Sequence, residues 1–227
     1  MTCHMSSLSL SAHQIKNLLL TVADAVIKAE PYLSEADRNL GDGDHGIGMA
    51  RGFNAVREKV SALDPSEGIG KLFSTAGMAM ISSMGGASGA IFGTVFRDGG
   101  KALADTSAFD SPALARLLKA ALEGVVARGK AKPGDKTMVD ALHPAALRAE
   151  AVQGQPLPEA IEAVAKAAEA GREDSKAMIA TLGRAKTLGE ASIGHPDAGA
   201  CSIALILRTM SDFVQNESSA PAASGGV

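Results

Sequence analysis

Three aspartates, Asp37, Asp42 and Asp44, follow one another in the spacing D-x4-D-x-D. Three carboxylates that are brought together repel one another unless a cation neutralises them. Ligand sets made only of oxygen suit Mg²⁺, which keeps several waters and also binds substrate phosphates. The alternative is that Asp42 and Asp44 only cap the helix that follows Gly46. An EF-hand is disfavoured because the loop lacks the later acidic positions and the final Glu.

Two glycine-rich segments extend this chemistry. The string from Gly41 to Gly46 matches the G-x-G-x-x-G dinucleotide fingerprint, but no strand precedes it and its two aspartates would repel a bare pyrophosphate. A metal bound between them would make it an indirect phosphate site. The segment Gly85–Gly89 precedes a helix, where small residues and the helix N-terminus favour an anion. The alternative for this second segment is a tight turn between two helices.

Two further polar loops carry charge. The segment Pro133–Thr137 resembles the end of a Walker A motif only superficially, because the upstream glycine spacing is wrong. The loop from Gly183 to Gly199 supplies Arg184, which would balance phosphate charge or serve as an ordinary helix-end cation. Each loop alone is weak evidence. Together they predict a metal–nucleotide phosphate site at the loops of a helical scaffold.

The elements that must hold these loops are helices. The chain has 227 residues, of which 46% are hydrophobic and only 3% aromatic, so Ala, Leu, Ile, Val and Met must fill its core. No stretch alternates at period two for long enough to predict a strand. We expect an all-α fold, an antiparallel up-and-down bundle of about eight helices, with one domain over residues 1–217 and a disordered tail over 218–227. The helices are predicted from the capping box Ser11–Gln14 to Pro31, in a short piece from Leu33, and over 49–63, 69–83, 90–103, 111–128, 138–151, 159–181 and 200–214.

Composition also excludes several classes of function. The net charge of −3 and a pI near 6.0 leave no electrostatic footprint for nucleic acid. The uncharged stretch Leu72–Phe96 is long enough for a membrane span, but Gly85-Gly86 breaks it, which favours two buried helices and no span. Cys3 and Cys201 form no disulfide framework, and no secretory signal is found. We therefore expect a cytoplasmic protein.

The ordered motifs resemble one family, the nucleotide-binding L subunit of dihydroxyacetone kinase, which also forms the C-terminal domain of single-chain dihydroxyacetone kinases. The resemblance extends over roughly residues 10–215 and implies an antiparallel barrel of about eight helices with ADP or ATP at one end. The matching segments are 41–46 with 51–53, 85–89 with 92–93, 128–130, 133–138 with Asp140, and 183–185 with 188–190.

The resemblance also implies roles for individual residues. Asp37, Asp42 and Asp44 would bind two Mg²⁺ that bridge the nucleotide phosphates, with Arg184 as a nucleotide-contacting catalytic residue. The remaining nucleotide contacts would be His45, Gly46, Ile47, Gly48, Ala87, Ser88, Gly129, Met138, Asp197, Ala198 and Gly199. Among these, Ala87 and Ser88 face the phosphates, whereas Gly129 and Met138 belong to the base pocket. With one Tyr and no Trp in the chain, we expect aliphatic residues rather than a stacked ring to hold the adenine.

Three positions depart from the family pattern. Gly48 replaces an asparagine, Ala198 replaces a proline, and Ala191 replaces the arginine that usually follows Leu-Gly-Glu. The first change removes a side-chain contact, the second loosens a turn, and the third removes a positive charge near the site. They bear on substrate and nucleotide affinity rather than on the scaffold.

The function that the resemblance implies is phosphoryl transfer to a small hydroxyketone, with dihydroxyacetone as the default. A separate K-type subunit would hold the ketone. The nucleotide would be either an ADP that a phosphohistidine phosphotransferase protein rephosphorylates in place or an ATP that exchanges. Two alternatives stay open: a regulatory module that senses the nucleotide state without chemistry, and a kinase subunit for a ketotetrose such as erythrulose.

Overall fold

The computed structural model describes residues 9–219, and these residues form an all-α structure without a β-strand, as predicted. The helices come in chain order as α1 Ala12–Lys28, α2 Glu30–Arg38, α3 His45–Ala62, α4 Ile69–Ser83, α5 Gly86–Lys101, α6 Ser111–Gly129, α7 Val139–Ala151, α8 Leu157–Asp174 and α9 Ala198–Ser219. Short 3-10 segments cover Pro65–Glu67, Ser175–Ala177 and Arg184–Ser192.

Eight of these helices form a closed ring. From α3 to α9 each helix packs against the next one in the chain, α1 packs against α3, and α9 returns to pack against α1. Most of the connections are short, so successive helices run antiparallel, which confirms the predicted up-and-down arrangement. The short helix α2 stands outside the ring and packs against α3 and α9.

The interior of the ring is filled by aliphatic side chains, with Phe53, Phe73 and Phe109 as its largest fully buried residues. Glycines bring α4 and α5 close together: a Cβ added at Gly77 or Gly93 would lie 2.4 or 2.3 Å from atoms of the facing helix. The uncharged stretch Leu72–Phe96 forms parts of two helices, α4 and α5, as predicted. Among the described residues, no helix has both the length and the apolarity that a membrane crossing requires.

Several predicted helix ends agree with the structure and several starts do not. The capping box of Ser11 and Gln14 opens α1, and α4 has the predicted bounds. Helix α3 begins at His45 rather than at residue 49, and α5 begins at Gly86 rather than at residue 90. Glycine-rich sequence has low helix propensity. The first turn of α3 is nevertheless helical, because Gly46 packs closely against α2.

Helix α8 and helix α9 also differ from expectation at their ends. Helix α8 ends at Asp174 rather than at residue 181. Helix α9 extends to Ser219, so the first two residues of the predicted tail are helical. The rest of that tail, residues 220–227, lies outside the described residues, as does Cys3, whereas Cys201 is buried in α9.

Candidate nucleotide and metal site

One end of the ring carries a cavity of about 520 Å³. The loops that border it follow α2, α4, α6 and α8, because in an antiparallel ring every second loop lies at the same end. The four polar loops singled out in the sequence are these four loops. Every predicted site residue lines the cavity except Gly46 and Gly129.

The three aspartates meet at one side of the cavity. Asp37 lies in the last turn of α2, and Asp42 and Asp44 lie in the loop that leads to α3. One carboxylate oxygen from each of them lies within 4.8 Å of the other two. Asp37 also accepts a hydrogen bond from the backbone N–H of His45 at 3.3 Å. This convergent, all-oxygen donor set fits Mg²⁺.

Arg184 brings a positive charge to the same cluster. Its guanidinium contacts the carboxylate of Asp42 and lies 3.9 Å from an oxygen of Asp44. Arg184 is the first residue of the 3-10 segment Arg184–Ser192. It directly follows Gly183, whose φ of +68° lies in the left-handed region. The structure therefore joins the last polar loop to the first one through this pair.

The N-terminus of α5 faces the cavity from another side. Gly85 and Gly86 both have positive φ, of 71° and 63°, which turns the chain sharply from α4 into α5. Ala87 and Ser88 then lie exposed in the first helical turn on the cavity wall. The first N–H groups of a helix have no partners within the helix, so this turn offers donors and a partial positive charge to an anion.

His45 lines the cavity but is held by the protein itself. Its Nε2 lies 2.8 Å from the hydroxyl of Ser202 on α9, and its ring centroid lies 5.7 Å from that of Phe92 on α5. Burial lowers the pKa of this imidazole, while the charge of Asp37 opposes that shift. Its neighbours Ile47 and Gly48 lie in the first turn of α3 and border the cavity.

An apolar wall lies beside Met138, as the predicted base pocket requires. Met138 itself is buried and precedes α7. Five more large apolar residues line the cavity besides Met138 and Ile47: Leu40, Met84, Ile91, Phe92 and Leu182. Of these five, only Phe92 belongs to a segment that matched the family. Gly129 is exposed at the end of α6 and lies behind Ile91, with 3.2 Å between an added Cβ and Cδ1 of that side chain. Gly46 is buried against α2, where an added Cβ would lie 2.2 Å from the carbonyl oxygen of Glu30.

The Asp197–Gly199 segment forms the start of α9 rather than a loop. The Asp197 carboxylate accepts a hydrogen bond from the N–H of Ala200 at 2.8 Å, and its backbone N–H donates to the hydroxyl of Ser175 at 3.0 Å. Burial raises the pKa of Asp197 to about 7, and the nearby negative charge of Asp140 adds to that shift.

Lys136 in the loop between α6 and α7 and Asp140 in the first turn of α7 also lie here, and the sequence predicted no role for either. The Asp140 carboxylate accepts hydrogen bonds from the N–H groups of Gly134 and Thr137, at 2.6 and 2.7 Å. Lys136 lines the cavity, but its ammonium is directed into the protein and bonds to backbone carbonyls. The sequence pattern identifies the loop as polar and contains no signal for the direction of that lysine.

Two of the three departures from the family pattern have structural correlates. A Cβ added at Gly48 would meet no atom within 4 Å, so the cavity has free space beside that position. Ala198 is the first residue of α9 and is buried. Ala191 is exposed near the end of the 3-10 segment, and nothing in the structure explains its replacement of an arginine.

A family model, the DAK2 domain, matches residues 39–212 of the chain. The ADP-binding subunit DhaL of the PEP-dependent dihydroxyacetone kinase of Escherichia coli is 40% identical over 89% of this chain and 97% of that protein. The corresponding subunit of kinase 1 of Listeria innocua is 40% identical over 82% of this chain and 89% of that protein. An L-erythrulose kinase of Pectobacterium atrosepticum is 39% identical over 91% of this chain, which spans only 36% of that longer protein.

A solved structure supports the fold independently. The native form of the dihydroxyacetone kinase of C. freundii matches with a TM-score of 0.70 at 24% identity, over 93% of this chain and 38% of that one. At this identity the match establishes the fold alone. Because the family model covers most of the chain and close relatives match it over nearly their whole length, the chain belongs to the DAK2 domain family, together with the ADP-binding subunits of dihydroxyacetone kinases.

Proposed function

We propose that this chain is the nucleotide-binding subunit of a kinase for small hydroxyketones. It would transfer a phosphoryl group from its nucleotide to a ketose, by default dihydroxyacetone, held on a separate K-type subunit in the cytoplasm. One observation carries the proposal: the Asp37, Asp42 and Asp44 carboxylates converge at the same cavity as the N-terminus of α5. The names of two relatives that match over nearly their whole length agree with an ADP site.

The donor set fits magnesium, and we propose that the three aspartates hold two Mg²⁺. When bound, the metal ions supply neutralisation of the negative charge on the nucleotide phosphates. The chain contributes three oxygen-donor side chains, of which Asp42 and Asp44 are exposed to solvent. Nucleotide binding should accordingly depend on Mg²⁺.

The other walls of the cavity have complementary tasks. The first turn of α5, at Ala87 and Ser88, donates backbone N–H groups to phosphate oxygens. Arg184 supplies a cation for the charge that develops during transfer. Met138 and its apolar neighbours exclude water and hold the base, whereas His45 and the Asp197–Gly199 segment at the start of α9 shape the space between base and phosphates. These residues bind and orient the nucleotide, and the ketose comes from the partner.

The source of the phosphoryl group defines two modes of action. In one mode ADP stays bound and a phosphohistidine phosphotransferase protein rephosphorylates it; in the other, ATP exchanges with solution. The PEP-dependent relatives from E. coli and Listeria favour the first mode. Mass analysis of protein purified without added nucleotide separates them, since retained ADP supports the coupled mode and an empty site supports exchange.

The function itself is tested by reconstitution with a K-type subunit and Mg²⁺, once with ATP and once with a phosphohistidine phosphotransferase protein as the phosphoryl source, and either source can support product formation. We expect dihydroxyacetone phosphate to form only when both subunits are present. Stoichiometric nucleotide binding without any sugar phosphorylation would contradict the proposal and support the regulatory alternative. Absence of nucleotide binding would contradict both.

A ketotetrose is the second candidate substrate, because erythrulose kinases of two bacteria are 39% and 38% identical to this chain. Substrate choice would lie in the partner, which holds the ketone. The same reconstitution with dihydroxyacetone and with L- and D-erythrulose in parallel distinguishes the candidates by the ratio of their kcat/KM values.

A further inference from the structure

The loop between α6 and α7 is tied to residues 175–197, which form the α8–α9 connection. The ammonium of Lys136 donates hydrogen bonds to three carbonyl oxygens there: that of Ser175 at 2.7 Å, that of Met178 at 3.1 Å and that of His195 at 2.7 Å. These acceptors come from both ends of the connection. A single side chain therefore closes the connection into a loop at its base.

The Lys136 ammonium is committed to this task. The residue is 2% exposed, and its three N–H donors match the three carbonyls. Burial lowers the pKa of its amine, and the charges of Asp197 and Asp140 oppose that shift. An ammonium with every donor occupied has none left for a phosphate, which separates this lysine from the one in a Walker A loop.

A second tie joins the same two segments. The Asp135 carboxylate accepts a hydrogen bond from the Thr181 hydroxyl at 2.8 Å, and the Asp135 carbonyl accepts one from the Thr181 N–H at 3.2 Å. The same carboxylate accepts the N–H of Lys132 at 2.9 Å. The Asp140 carboxylate accepts hydrogen bonds from two further N–H groups of the α6–α7 loop. These hydrogen bonds fix the conformation of the loop that contacts the connection.

The connection carries residues that border the cavity. Arg184 lies in its middle and contacts the aspartate cluster, and Asp197 lies at its end. We propose that Lys136 is a positioning residue that fixes the α8–α9 connection over the cavity and thereby sets the place of Arg184. This inference rests on the proposed function only where it concerns the nucleotide, since the tie between the two segments is independent of any ligand.

The test compares Lys136→Met and Lys136→Ala with a matched control, Lys132→Met. Lys132 lies in the same loop, is exposed, and has a side chain that makes no ion pair within residues 9–219. Hydrogen–deuterium exchange reports the order of residues 175–197, and calorimetry with Mg–ADP reports affinity. We expect about tenfold faster exchange in the connection and about tenfold weaker ADP binding for both Lys136 variants, but not for Lys132→Met.

Chemical rescue of Lys136→Ala distinguishes a loss of the three hydrogen bonds from a general loss of packing. Propylammonium restores the missing chain and its N–H donors to Lys136→Ala, so we expect it to recover exchange protection and ADP affinity. Tetramethylammonium has the charge without the donors and should recover neither. Lys136→Arg should also fail, because a planar guanidinium does not direct donors to three converging carbonyls.

Three results would overturn the proposal. The first is unchanged exchange together with unchanged ADP binding in the Lys136 variants, and the second is unchanged exchange together with weaker ADP binding, which would make Lys136 a direct ligand. If the Lys136 variants do not fold, Thr181→Val replaces them, because it removes the hydroxyl hydrogen bond to Asp135 and should speed exchange in the connection. The third contradicting result is unchanged exchange in Thr181→Val. If the wild-type chain does not bind ADP, the proposed function fails and the exchange measurements still decide the positioning role.

Discussion

The guanidinium of Arg184 contacts the carboxylate of Asp42 and thereby connects the α8–α9 connection to the aspartate cluster. Without a ligand, this cation partly neutralises the carboxylates that Mg²⁺ would neutralise. A Mg²⁺ ion held by the cluster would therefore compete with Arg184 for Asp42, and a nucleotide phosphate would offer the guanidinium another acceptor.

Removal of this cation should strengthen binding of the metal alone. We expect Arg184→Gln to bind Mg²⁺ roughly two- to fivefold more tightly in the absence of nucleotide, because a pair this exposed contributes at most about 1 kcal/mol. The same variant should bind Mg–ADP more weakly. Titration with Mg²⁺ checks the first effect, with Lys186→Gln on the same 3-10 segment as the control. Equal Mg²⁺ affinity in all three proteins would show that the pair does not compete with metal.

Loss of a ligand from the cluster should abolish Mg²⁺-dependent nucleotide binding. We expect this for Asp42→Ala and Asp44→Ala, with the free energy of unfolding within about 0.5 kcal/mol of wild type because both side chains are exposed. Calorimetry with ADP in the presence and absence of Mg²⁺ checks the binding, and urea denaturation checks the fold. Glu58→Ala, an exposed residue on α3, is the control. Unchanged ADP affinity in either aspartate variant would refute the metal assignment.

Two glycines of one helical turn should respond oppositely to a methyl group. We expect Gly46→Ala to lower the free energy of unfolding by about 2 kcal/mol, because its Cβ would lie 2.2 Å from the Glu30 carbonyl oxygen. At Gly48 a Cβ meets nothing within 4 Å, so Gly48→Ala should raise stability by roughly 0.5–1 kcal/mol through helix propensity. Denaturant unfolding of both variants measures the difference. If Gly46→Ala proved as stable as Gly48→Ala, the close packing of α2 on α3 would be wrong.

The buried carboxyl of Asp197 should make stability depend on pH. Its pKa of about 7 in the folded protein exceeds the ordinary value of 3.8, so between these values the folded state keeps a proton that the unfolded chain has lost. The contribution is therefore complete below about pH 4 and is lost as the pH rises through 7. We expect Asp197→Asn, which retains a capping side chain, to flatten the fall in unfolding free energy between pH 4 and 7.

The measurement is a series of urea denaturations across that pH range. Asp105→Asn, an exposed position in the loop between α5 and α6, serves as the control and should follow the wild-type curve. Parallel curves for wild type and Asp197→Asn would show that this carboxyl titrates equally in the folded and unfolded states.

Local sequence signals predicted much of the fold because they act over a few residues. The Ser11 capping box and the apolar spacing of α4 are of this kind, and both agree with the structure. The end of α8 was placed too late because the sequence beyond Asp174 retains helix-forming residues. The chain just beyond Asp174 is held by a contact distant in sequence, in which the Lys136 ammonium donates hydrogen bonds to the carbonyls of Ser175 and Met178.

The candidate site shows the same division. Carboxylates, glycines and an arginine are visible as residue types, and the antiparallel ring brings Asp37, Ser88 and Arg184 to one cavity. The placement of Gly46 and Gly129 away from the cavity wall was not predictable, because it depends on the packing of neighbouring helices. The direction of the Lys136 side chain is likewise a property of the folded chain alone.

Closure of the ring by α1 and α9 brings the two ends of the described chain together. The Gln14 amide donates a hydrogen bond to the Glu217 carboxylate at 2.7 Å, and Lys16 reaches the carbonyls of Ser61 and Leu63 at the far end of α3. Both ends therefore leave the barrel on the side away from the cavity. Another domain or a surface tether attached at either end would leave the mouth of the cavity open to a partner protein.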